Sequence, residues 1–177
     1  MNWIWIALFA GKVSAVDCQQ ELARHLATDL ELSYQEFDQT PNRGMRALSA
    51  KGCHAETATL IQAYIRHNQA EESSLRWHLA QQYAMAGEYG QAIEAARTTL
   101  NADEDLSTNP FQWNDYVLAT IAFLERDKQS LIAHTEAVRT GQDTHMGNQI
   151  NLKLLEALVR HFDQSYAYAT SHLASSE

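Results

Sequence analysis

Apolar residues recur at three- and four-residue spacing along most of the chain, and no alternating apolar–polar run is long enough for a convincing strand. Cys18, Leu22, Leu26, Leu30, Tyr34 and Phe37 keep that spacing, and Asp17 with Gln20 resembles a capping box, which predicts a helix over 17–37. Thr40-Pro41 then restarts the chain with a cap and a first-turn proline, and Gly52 stops the short helix that follows. A third helix is expected over 54–67, with Ala58, Ile61, Tyr64 and Ile65 facing inward. Leu75 to Leu100 reads as two short amphipathic helices joined at Gly87. After an acidic connection at 101–109, Asn109-Pro110 launches a helix to about 124, and Asp127 caps another to about 140. A second break at 141–145 precedes a last pair over 148–160 and 163–174.

With 2 prolines and 7 glycines in 177 residues, long stretches are free to be helical. The expected fold is all-α, with about 8–9 helices in a single domain over 16–177. Gly52, Gly87, Arg126 and His161 fall at the turns between paired helices, at intervals of 35, 39 and 35 residues. An interval near 34 is what stacked helix-turn-helix units require, because each unit buries its apolar face on the next.

Leu79, Ala80, Tyr83, Gly87, Tyr89 and Ala92 stand at the spacing of a tetratricopeptide repeat, and this hairpin resembles that family. The pattern departs from the family at Arg76, where tryptophan is usual, at Ala96, where a large aromatic is usual, and at Glu104, where proline is usual. From residue 17 onward the chain also resembles a group of uncharacterised bacterial proteins with tetratricopeptide-like folds. That likeness rests on Phe37-Asp38-Gln39-Thr40, on Gly44-Met45-Arg46 with Gly52-Cys53, and on Trp113-Asn114-Asp115-Tyr116-Val117 with Ala122-Phe123-Leu124. The resemblance implies a right-handed superhelical array of antiparallel helix pairs, an α-solenoid, and no assigned activity. An irregular helical bundle with one repeat-like hairpin is the alternative.

In such an array the first helix of each pair lines a concave face. Carried onto this chain, the resemblance selects Gln39, Asn42 and Arg46, then Ser74, Trp77 and Gln81, then Trp113, Tyr116 and Thr120, and last Asn148, Asn151 and Leu155. Within this set Arg46, Trp77, Gln81, Trp113, Tyr116, Asn148 and Asn151 combine aromatic area with directional hydrogen-bonding groups, as a peptide groove does. The same aromatics at helical spacing also suit a core, and both readings stand on the sequence. The leading expectation is a noncatalytic module that binds a protein or peptide.

Residues 3–10 are apolar and too few to span a bilayer, but enough for the core of a secretory signal, with Val13-Ser14-Ala15 as its cleavage site. Segment 1–15 is therefore expected to be a signal peptide, although Lys12 lies on the wrong side of the apolar run. A first helix docked on the domain is the alternative. Export to the periplasm or beyond would leave no stable membrane insertion and would let Cys18 and Cys53, the only cysteines, form a disulfide. In a cytoplasmic protein they would be buried thiols. A formal net charge of -9 offers no basic footprint for nucleic acid.

Eight histidines lack metal-ligand spacing, and no metal or cofactor motif is present. His54 with Glu56, His134 with Glu136 and His25 with Asp29 read as surface pairs, whereas His78 reads as a hydrogen-bonded interior histidine. Asp103-Glu104-Asp105 lacks the later glycine and glutamate of a calcium loop. Two alternative functions remain: a hydrolase-like pocket around Arg46, His78, Gln82 and Asn114, and a structural homo-oligomer subunit.

Overall fold

The computed structural model describes residues 17–173, so the expected signal peptide at 1–15 lies outside it. Nine α-helices make up the described chain: α1 Cys18–Thr28, α2 Gly44–Ser49, α3 His54–Asn68, α4 Ser73–Met85, α5 Tyr89–Arg97, α6 Trp113–Glu125, α7 Lys128–Thr140, α8 Met146–Arg160 and α9 Tyr166–Ser171. A π-helical turn, Gln35–Gln39, precedes α2. Among the described residues no strand forms, and no helix is long and apolar enough to cross a membrane. The fold is all-α, as the spacing predicts.

The first helix differs from expectation. Asp17 caps it by accepting from the backbone N–H groups of Gln19 and Gln20 (both 3.1 Å). It stops at Thr28 rather than running to 37, because Asp29 draws local hydrogen-bonding groups to itself. The Asp29 carboxylate accepts from Thr28 Oγ1 at 2.6 Å and lies 2.5 Å from His25 Nδ1. The chain turns there, then tightens into the π-helical turn that buries Phe37 in a stack on Tyr64, ring centroids 3.8 Å apart. Nor does Pro41 start a helix: Asn42 takes a left-handed φ of 60° and α2 begins only at Gly44.

Gly44 itself has φ +49°, and a Cβ there would lie 2.3 Å from the Phe37 carbonyl oxygen. The π-helical turn and the start of α2 are thus pressed backbone to backbone. Nearby, the Cys18–Cys53 disulfide joins the start of α1 to the cap of α3, with Cα atoms 5.4 Å apart.

Successive helices pack as hairpins, α2 on α3, α4 on α5, α6 on α7 and α8 on α9, and neighbouring hairpins meet through α3–α4, α5–α6 and α7–α8. Leu48, Ile61, Leu75, Val117, Phe123, Leu131 and Leu155 are buried along this line, each contributing about 1.5–3 kcal/mol of transfer free energy. At three of the four expected turn positions the backbone is left-handed: Gly52 at φ 80°, Gly87 at 81° and Arg126 at 63°. Arg126 tolerates a conformation suited to glycine because its guanidinium is anchored. It donates to the carbonyls of Phe162 and Gln164 and lies 5.3 Å from the centroid of the Phe123 ring. His161, at φ −108°, departs from the pattern.

The last helix closes the fold. α9 packs on α8 and also returns to α4, and at the start of α5 the Tyr89 hydroxyl accepts from the Tyr166 backbone N–H at 3.0 Å. Tyr166 is buried beside Trp77, Gln81, Thr120 and Leu124, leaving no space there for a water.

Candidate functional site

The closure of α9 decides the fate of the expected groove. Trp77 and Tyr116 are 5% and 4% exposed, with ring centroids 5.1 Å apart, and the half-buried Gln81 sits beside Trp77 and Tyr166. Burial pushes the Tyr116 and Tyr166 hydroxyls far above their ordinary pKa. These aromatics are core, because a C-terminal tyrosine occupies the face they would have presented. Asn148 is fully buried as well and acts as a brace. Its Nδ2 donates to the carbonyls of Pro110 and Gly141 (2.9 Å each), and its Oδ1 accepts from the Gln112 backbone N–H. Asn151, one turn further along α8, is half-buried.

Trp113 is the exception among the tryptophans at this face. Its indole Nε1 donates to the Thr99 carbonyl at 2.6 Å and its ring meets Trp77 at 5.3 Å, yet it is only half-buried. With Phe111, whose ring lies 5.9 Å away, it lines a cleft of about 740 Å³. The opposite walls are the start of α4 at Ser73 and Ser74, the end of α5 at Thr98, and the acidic loop. That loop is held by its own polar groups. Asn114 exchanges hydrogen bonds with the Asn101 backbone, and the Glu104 carboxylate accepts from the Asn114 backbone N–H. Phe111 was outside the residues singled out from the sequence, and its position directly after Asn109-Pro110 was the available signal.

Arg46 lies elsewhere, in a polar joint between the first hairpin and α4. The fully buried Asp38 carboxylate sits 2.7 Å from His78 Nδ1, and Arg46 Nη2 lies 3.2 Å from His78 Nε2. Arg46 Nε also donates to the Asp38 backbone carbonyl at 2.6 Å. One turn further along α4, Gln82 Oε1 lies 2.9 Å from His54 Nδ1 and accepts from Ser49 Oγ at 3.2 Å. Arg46, His78 and Gln82 therefore do meet, but Asn114 is committed to the acidic loop. Both nitrogens of His78 are occupied, and its side chain is 17% exposed. The cluster acts as a hydrogen-bonded seam.

Burial alone would push the Asp38 carboxyl up, but the hydrogen bond and charge of His78, with Arg46 and Gln39 behind them, hold it below its ordinary value. A depressed carboxyl contributes stability above its unfolded-state pKa and loses it as pH falls through the folded-state value. Asp38→Asn is therefore expected to cost about 2 kcal/mol at pH 7 and to flatten the loss of stability below about pH 4. Urea titrations between pH 2.5 and 7 read this directly; parallel pH profiles for the two proteins would remove Asp38 from the account.

The other histidine pairs differ from expectation. His25 and Asp29 are buried rather than at the surface, His134 pairs with Asp115 (2.7 Å) instead of Glu136, and His54 turns to Gln82 instead of Glu56. Glu56 lies beside the Cys18–Cys53 bond and accepts from Gln19 Nε2, but sulfurs bonded to each other offer no thiolate to a metal.

Against known proteins the chain stands apart: no family model, no curated protein and no solved structure matches it.

Proposed function

We propose that the protein is a noncatalytic binding module, a degenerate tetratricopeptide-like array of helical hairpins that takes a protein or peptide partner in the cleft beside Trp113. The observation that carries this reading is the cleft itself. It has two half-buried aromatic rings on one wall, exposed polar residues on the others, and a volume within the range of ligand sites. Hydrophobic area edged by hydrogen-bonding groups is what a peptide surface requires. The left-handed backbone shared by Gly52, Gly87 and Arg126 supports the repeat reading. The disulfide supports an exported protein, periplasmic or secreted, since such bonds persist in oxidising compartments.

Thr98 is exposed at the mouth of the cleft, so Thr98→Arg blocks it from the surface, while Phe111→Ala removes half of its aromatic wall. Each change is expected to lower recovery of co-purifying partners from the native compartment at least about ten-fold, as loss of about 1.4 kcal/mol of binding would, with helical circular dichroism unchanged. Equal recovery of the same partners by both folded variants would dismiss the cleft as the binding surface.

A further inference from the structure

We propose that recognition extends into a second cleft, where α3, α4 and α5 meet, and that this cleft takes an apolar side chain lying next to a carboxylate on the bound polypeptide. The inference rests on the peptide-binding reading above and adds the chemistry of the partner. Thr98 lines both clefts, so a segment lying along one passes directly into the other.

The second cleft measures about 370 Å³, room for one side chain of leucine size with its flanking group. Arg76 stands at its edge, where its guanidinium donates to the Ala70 carbonyl at 3.0 Å. That carbonyl is within reach because α3 ends in a left-handed residue, Gln69 at φ 52°. The cleft has a floor of Ile65, Leu79, Tyr83 and Ala95 beneath a charged rim.

The rim is asymmetric. Arg66 and Arg76 stand on α3 and α4, and Glu94 stands opposite on α5. Arg66 is exposed and makes neither an ion pair nor a side-chain hydrogen bond with the described residues. In a chain of net charge -9, the exposed Arg66 guanidinium beside an apolar floor is a local inversion of sign, and Arg76, held on the Ala70 carbonyl, adds its charge from the rim. Arginine presents a fork of N–H donors that matches a carboxylate, and Glu94 repels the same carboxylate toward the arginine side. Gln62 and Gln91, also at the cleft, can hydrogen-bond the backbone of the bound segment. The occupant is therefore an extended segment of another protein with a residue such as leucine beside glutamate or aspartate.

The test uses the full chain and three blocked hexapeptides, acetyl-GSLEGS-amide, acetyl-GSLKGS-amide and acetyl-GSGEGS-amide, followed by amide chemical shifts in solution. The first peptide is expected to shift Arg66, Leu79 and Ala95 with a dissociation constant below about 1 mM, and the other two to bind at least about ten-fold more weakly. Arg66→Glu, an exposed change that leaves the floor intact, is expected to invert the preference so that the lysine peptide binds more tightly than the glutamate peptide. Equal binding of the glutamate and lysine peptides, a preference unmoved by Arg66→Glu, or no shift from any peptide at millimolar concentration would each overturn the proposal. Partner recovery by the Phe111→Ala variant, which alters the first cleft alone, judges the binding reading separately. Its loss alongside an unmoved charge preference leaves the module standing and removes only the carboxylate.

Discussion

Gly44→Ala is expected to destabilise the protein by about 3 kcal/mol or more, a large share of the roughly 5–15 kcal/mol that holds a typical domain folded. Two costs add. A left-handed φ of +49° penalises any L-residue with a Cβ by about 1–2 kcal/mol. That Cβ would also stand 2.3 Å from the Phe37 carbonyl oxygen and 2.5 Å from Phe37 Cα, and backbone cannot swing aside as a long side chain can. Relief requires the π-helical turn to move, which drags fully buried Phe37 off Tyr64 and costs about 1–3 kcal/mol more as overpacking. Urea unfolding followed by circular dichroism measures the loss. Gly87→Ala is the control, since it carries the same backbone penalty at φ +81° with open space around its Cβ. If the two substitutions cost the same, the contact between the π-helical turn and α2 contributes nothing.

Removing the disulfide is expected to have the next largest effect. Cys18 and Cys53 are 35 positions apart, and closing a loop of that length restricts the unfolded chain by about 3–4 kcal/mol on the chain-entropy account. The double substitution Cys18→Ser/Cys53→Ser should lower the unfolding free energy obtained from urea titration by at least that amount. Cys53 is also buried against the core, so its replacement by a hydroxyl adds a packing cost that reduction alone does not. Comparing the double variant with the reduced natural protein separates the two contributions. Intact protein from its native compartment should resist thiol alkylation until a reductant is added, and prompt labelling of both cysteines would refute the bond.

Local signals carried much of the architecture. Caps at Asp17 and Asp127, the glycines at 52 and 87, and the apolar spacing between them act within a few residues, so they can be read directly from the chain. The end of α1 was not legible in the same way. Asp29 stops the helix through His25 and Thr28, and a lone aspartate in an amphipathic run carries no mark of that role. The candidate site shows the same divide. The family resemblance places Trp77, Tyr116 and Asn148 on an open first-helix face, and only the two aromatics also suit a core. The structure buries all three, because a repeat pattern tells which face residues share and not what covers it. Their cover comes from Tyr166 for the two aromatics, and from Pro110 and Gly141 for Asn148, all remote in sequence. His134 makes the point at smaller scale: Glu136 is its neighbour along the chain, while Asp115 on α6 is its neighbour in space. Arg76 was visible as a departure from the repeat pattern, although only the packing of three helices reveals the opening beside it.

The return of α9 to α4 has a consequence for how the chain folds. In an open row of hairpins, each unit contacts only its neighbours, and units can melt or be deleted from one end with little effect at the other. Here Tyr166 meets Tyr89 across 77 positions, and Thr170 lies 3.5 Å from Met85 across 85. Such distant pairings make the two halves rise and fall together as one cooperative unit. They also delay completion until the last helix has been synthesised, because the inward rings of α4 and α6 stay uncovered until then. For a nascent chain, the final dozen described residues act as the clasp that commits everything before them.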